Sequence, residues 1–150
     1  MTFFTDLFAN RVLVSAFTAW VIAQLIKVPL EYALHRKLDW SLLLSTGGMP
    51  SSHSALVTGA SISIGLEEGF RSPLFALSWV VALIVIYDAI GIRRQAGDHA
   101  RVLNLMIDEL FTGHALAEKE LKEVLGHTPR EVIGGIALGV AVPLLIFRVF

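Results

Sequence analysis

At 150 residues the chain has room for one domain and not for two of ordinary size. Hydrophobic residues make up 55% of it and mean hydropathy is +0.68, an apolar share above that of a soluble domain, while a net charge of −1 supplies no global field for nucleic acid. The absence of cysteine excludes disulfides, thiolate nucleophiles and cysteine metal sites, and leaves the redox compartment unread. An integral membrane protein is the simplest expectation.

Residues 1–10 are mixed, with Asp6 and no basic cluster, which argues against a signal peptide. From Val12 to Leu30 only Gln24 and Lys27 stand out from an apolar run long enough to cross a bilayer. Residues 31–50 read as a polar connection holding Glu31, His35, Arg36, Lys37 and Asp39. Within it Gly47 and Gly48 permit turn conformations, Pro50 suits a turn or a first helical position, and Ser51 and Ser52 are natural helix caps. A second span is expected from Ser52 to Leu66. Its small residues Ala55, Gly59, Ala60, Ser61, Ser63 and Gly65 predict an interior helix, because small side chains let helices approach in lipid. A turn through Glu67, Gly69, Arg71 and Pro73 leads to a third span, Leu74 to Ile92, which ends in Asp88, Arg93 and Arg94.

Residues 95–126 are charged, with apolar residues at helical spacing. An amphipathic helical segment is expected there, packed on the bundle or lying in the membrane interface. Thr128 and Glu131 then form a capping box around Pro129 and open a last span, Val132 to Phe147. The expected fold is an all-α integral membrane bundle over residues 1–150, with about four transmembrane helices and one amphipathic segment.

Four spans put the 31–50 connection and the 93–130 segment on one side of the membrane. That side collects Lys27, Ser51, Ser52, His53, Arg93, Arg94, His99, His114, His127 and Glu131, while the other receives the termini and the acidic turn. Basic residues at span ends favour the cytoplasmic side. Each residue also has an ordinary reading. Lys27 would snorkel, Arg93 and Arg94 would be a stop signal, and Glu131 would merely cap. Asp88 is harder to dismiss, because an acid within a span is usually functional or paired with a neighbour such as Arg93.

Pro50-Ser51-Ser52-His53 resembles the proline-serine-glycine-histidine box of the type 2 phosphatidic acid phosphatase superfamily, with Ser52 where that box has glycine. Gly126-His127-Thr128-Pro129-Arg130-Glu131-Val132 resembles the histidine–three residues–aspartate box that opens the last core helix, with Glu131 in place of aspartate. Together with Arg93-Arg94-Gln95-Ala96-Gly97 and Leu103-Asn104, the run is similar to the divergent, small membrane branch of that superfamily. The resemblance implies a phosphohistidine mechanism that needs no metal and no cofactor. His127 would be the nucleophile, Glu131 its orienter, and His53 the general acid and then base. Lys27, Ser51, Ser52, Arg93 and Arg94 would hold phosphate. The parent's first motif has arginine-proline seven residues after its lysine, where this chain has Leu34 and His35. Its arginine six residues before the nucleophile is matched by Arg93 and His99, which makes His99 a rival, although Leu103 then occupies the aspartate's place.

Three functions follow for test. The first is a membrane phosphatase acting on a lipid phosphate or an isoprenoid phosphate or diphosphate. The second is a binding or transport protein that keeps the anion site without turnover. The third is a metal-dependent centre on Asp88, Asp98, His99, Asp108 and Glu109. The lipid bilayer is a partner in each, nucleic acid in none. Small residues in the second and fourth spans would serve packing between subunits as well as within one chain.

Overall fold

The computed structural model describes residues 3–36, 38–43, 47–110 and 127–149. Six helices are present among them: α1 (Phe3–Ala9), α2 (Arg11–His35), α3 (Ser52–Glu68), α4 (Pro73–Ile90), α5 (Ile92–Leu110) and α6 (Pro129–Val149), with one 3₁₀ turn at Trp40–Leu43. The fold is an all-α membrane bundle. Its helices α2, α4 and α6 are long and apolar enough to cross a bilayer. Between them stands α3, of 17 residues, packed against all three.

Local chemistry sets most of the helix ends. The Asn10 side chain accepts the Leu13 amide at the start of α2, Ser51 accepts that of Ser54 at α3, and Ser72 accepts that of Phe75 at α4, where Pro73 takes the first helical position. Arg36 closes α2 in the left-handed conformation (φ 56°), its amide returning to the Tyr32 carbonyl. The first helix of the bundle therefore runs five residues past the expected end at Leu30, and Glu31 and His35 pair along it at 3.0 Å.

The interior is made of small side chains. Ala16, Ala19 and Ala23 on α2 meet Ala55 and Gly59 on α3, with Val142 of α6 against them. Large apolar residues such as Leu77, Ile84 and Leu145 face outward, each more than 60% exposed. In water this would be inverted; in lipid, where tails are as apolar as leucine, close backbone approach is what holds helices together. Hydroxyls that would otherwise be stranded in this interior find carbonyls, Ser61 bonding to Ser78 and Ser63 to Gly59. The expected interior role of α3 is borne out: Ala55, Gly59, Ser61, Ser63 and Gly65 are all buried.

The crossing of α3 and α6 is tightest where α6 carries Gly135 and Gly139. A Cβ at Gly139 would stand 2.6 Å from Thr58 Cβ and 2.8 Å from the Ala55 carbonyl, and one at Gly135 would strike the Ser51 carbonyl and Ser54. The amphipathic segment is observed as α5, with the expected residues 111–126 outside those described. It turns Gly97, Ala100 and Asn104 inward and leaves Val102, Leu103, Leu105 and Met106 exposed. These four large apolar side chains therefore do not pack on the bundle.

Gly139→Leu is expected to destabilise the protein by about 3 kcal/mol through overpacking against α3. The outward-facing Leu77→Ala should stay within about 0.5 kcal/mol. Thermal unfolding in one detergent, followed by circular dichroism, compares the two.

Candidate functional site

The N-termini of α3 and α6, the C-terminus of α4 and the last turns of α2 converge at one end of the bundle. Two backbone hydrogen bonds lock them together. The Ser51 amide donates to the Glu131 carbonyl at 2.8 Å, and the His127 amide donates to the Ala89 carbonyl of α4 at 3.0 Å. The first ties the start of α3 to the first turn of α6, and the second ties the residue ahead of α6 to the end of α4.

His127 is buried, and its Nδ1 lies 2.8 Å from Glu131 Oε2. This contact has a local origin. The capping box forms as expected, with the Glu131 amide donating to Thr128 Oγ1 at 3.4 Å and the Thr128 amide donating to Glu131 Oε2 at 3.3 Å. The carboxylate that caps the helix thus also takes the Nδ1–H of the histidine four residues earlier. An ionised carboxylate only accepts, so the proton of the neutral ring sits on Nδ1 and Nε2 keeps its lone pair.

His53, in the first turn of α3, brings its ring to 6.3 Å from that of His127, centre to centre and tilted by 53°. Lys27 is 1% exposed and interacts electrostatically with Glu131. Its aliphatic stem passes Gly48, which holds a left-handed φ of 92°; a Cβ there would stand 3.7 Å from Lys27 Cδ. Ser51 and Ser52 are both buried at the start of α3. The Ser51 hydroxyl receives the Ser54 hydroxyl at 3.0 Å and the Ser54 amide at 3.3 Å. Amides of a helix's first turn have no acceptor within the helix, which makes a helix start such as that of α3 favourable for an anion.

Two imidazoles, a carboxylate, a buried ammonium and a helix start form a compact site suited to a phosphate group. The sequence-predicted residues His127, His53, Glu131, Lys27, Ser51 and Ser52 are brought together. Arg93 and Arg94 lie in the first turn of α5, directly after α4, and their side chains are outside the described residues. Asp88 sits half-buried in the last turn of α4, and its expected pairing with Arg93 falls outside the described side chains. His99 is exposed on α5, and so is Leu103. Leu34 and Arg36, from the divergent first motif, are also exposed, on the far turn of α2. Among the described residues no three metal-capable side chains cluster; Asp98, Asp108 and Glu109 have side chains outside that set.

Two contributors were not read from the sequence. The Ala89 carbonyl, which holds His127 in place, has no side-chain signature. Gly48 reads as a turn residue, and that it lies beside the lysine stem depends on a packing no local pattern reports. The tautomer is directly testable. Nitrogen-15 shifts of the His127 ring are expected to show the neutral form protonated at Nδ1, and Glu131→Leu to abolish that preference.

A family model described as the divergent PAP2 family matches residues 8–142. The chain is 46% identical to the membrane protein YuiD of Bacillus subtilis (strain 168) over 156 aligned positions, covering 97% of this chain and 99% of that protein. No solved structure matches it significantly. The chain belongs to the divergent PAP2 family of membrane proteins.

Proposed function

We propose that this protein is a metal-independent membrane phosphatase that hydrolyses a lipid phosphate, or an isoprenoid phosphate or diphosphate, through a phosphohistidine on His127. The observation that carries the reading is the 2.8 Å contact of His127 Nδ1 with Glu131, beside His53 and the buried Lys27.

With its proton held on Nδ1, His127 directs the Nε2 lone pair at phosphorus. As the N–P bond forms, the bond from phosphorus to the lipid oxygen breaks, and His53 donates its proton to that oxygen. The lipid alcohol leaves, or the lipid monophosphate where the substrate is a diphosphate. Water then attacks the phosphohistidine, His53 takes the water proton, and the N–P bond breaks to free inorganic phosphate and regenerate Nε2. Lys27 and the first-turn amides of α3 balance charge on the phosphoryl oxygens in a site shielded from water, where such interactions are strong. Arg93 and Arg94 would join them from α5. Arg36, Arg93, Arg94, Arg101 and Arg130 lie toward this end and Arg11, Arg71 and Arg148 toward the other, an excess that supports a cytoplasmic position for the site.

One observation favours the second reading, a binding or transport protein that retains the anion site. The residues aligned with the parent's first-motif arginine-proline are Leu34 and His35, and both are exposed at the end of α2.

The test is phosphate release by purified protein in detergent with EDTA, over phosphatidate, phosphatidylglycerophosphate and polyprenyl diphosphate. Release that vanishes in His127→Ala, and falls roughly 100-fold or more in His53→Ala, is the expected outcome. Release that survives His127→Ala would move the nucleophile to His99, and release lost to EDTA would favour the metal centre. Folded protein that binds these headgroups without releasing phosphate would establish the second reading.

A further inference from the structure

The carbonyl of Leu43 accepts a hydrogen bond from Gln24 Nε2 at 2.8 Å. Gln24 lies well inside α2, which continues to His35, about 16 Å further along the axis. The chain leaving α2 at Arg36 therefore turns back and descends beside the same helix until Leu43 is level with Gln24. The descent ends at the site, since a Cβ at Gly48 would lie 3.8 Å from Leu42 as well as 3.7 Å from Lys27.

A 25-residue helix is about 37 Å long, whereas the hydrocarbon core is about 30 Å thick. With Arg11 at one boundary, the other falls near Leu30, and Gln24 lies about 9 Å beneath it. Non-helical chain at that depth must have its polar groups satisfied by protein. Here Gln24 supplies the donor for the deepest carbonyl, and Asp39 Oδ1 takes the Ser41 amide at 2.9 Å nearer the surface.

The outward side of this segment is apolar. Leu38 is 56% exposed and Trp40 is 66% exposed. The Trp40–Leu43 turn packs on α2, where Gln24 stands at the border between the exposed face of Phe17, Val21, Leu25 and Tyr32 and the buried stripe of Ala16, Ala19, Ala23 and Lys27. The lipid-facing surface of α2 thus continues onto residues 38–43. Tryptophan is favoured at headgroup depth, where its ring is apolar and its N–H can be hydrated.

We propose that residues 38–43 are a re-entrant wall of the site, inserted into the leaflet between the headgroups and the upper acyl chains, with Leu38 and Trp40 against lipid. The occupant of this surface is the bilayer itself. The wall places lipid headgroups laterally beside Lys27, His53 and His127, so an anion reaches the site from within the leaflet. This placement is independent of whether the site turns over a phosphate.

The experiment uses the full chain in phosphatidylcholine vesicles, with Trp20→Phe and Trp79→Phe leaving Trp40 as the sole tryptophan. Bromines high on the acyl chains are expected to quench Trp40 by roughly half, as an interfacial ring requires. Bromines near the chain ends should quench less, and iodide in the buffer little. Strong iodide quenching with no effect of bromolipid would show the segment in water and overturn the proposal. Strongest quenching by the deep bromines would overturn the depth, and no quenching by any of the three would mean that protein, such as a second copy of the chain, covers Trp40. If the double variant fails to fold, the absence of native cysteine allows a spin label at Trp40→Cys alone. That label should be more accessible to oxygen than to a water-soluble nickel complex; the reverse order overturns the proposal.

Discussion

Close approach of α3 and α6 is the constraint on which the site depends. Gly135 and Gly139 remove the side chains that would keep these helices at an ordinary separation. The backbones then come near enough for the Ser51 amide to reach the Glu131 carbonyl. That bond fixes the axial register of two helix N-termini whose residues were distant in sequence. His53 follows Ser51 by two positions and His127 precedes Glu131 by four, so the same register sets the imidazoles 6.3 Å apart. In a soluble protein a large hydrophobic core would share the task of alignment. Here the interior is alanine, glycine and serine, and dispersion between backbones in contact carries it.

Within that frame the charges are arranged to tolerate burial. An isolated ammonium or carboxylate in a low-dielectric interior is strongly unfavourable, and partners with good geometry are what make it bearable. Lys27 interacts with Glu131, and Glu131 in turn receives the His127 ring and the Thr128 amide. One carboxylate therefore caps a helix, orients a histidine and balances a lysine. Burial also strengthens these interactions, since water does not compete for them.

The surface around the site is as much a part of the arrangement as the residues inside it. On α5 the small and polar stripe of Gly97, Ala100 and Asn104 turns inward and the large apolar residues turn out. The segment after α2 does the same with Leu38 and Trp40. Both features lie at the end of the bundle where His127 is held. Both make sense when the solvent at that level is a leaflet and not water.

What the sequence determined by itself is what short-range chemistry controls. The apolar runs announced a membrane bundle, because about twenty apolar residues match the thickness of hydrocarbon. Ser51, Ser72 with Pro73, and Thr128 with Glu131 marked helix starts, because a cap needs only the side chain and amides three residues on. The pairing of His127 with Glu131 was implied by the resemblance of their box to the family's, and it forms locally because the two are about one helical turn apart. The Pro50-Ser51-Ser52-His53 and His127-to-Glu131 boxes also gave the family. Tertiary structure alone decided that Lys27 is buried within electrostatic reach of Glu131, that Ala89 holds the His127 amide, and that the chain after Arg36 folds back beside α2 to Gln24. These contacts join segments far apart in the chain. They depend on how closely and in what register the helices pack, a property of glycine contacts between helices that no pattern along one helix records.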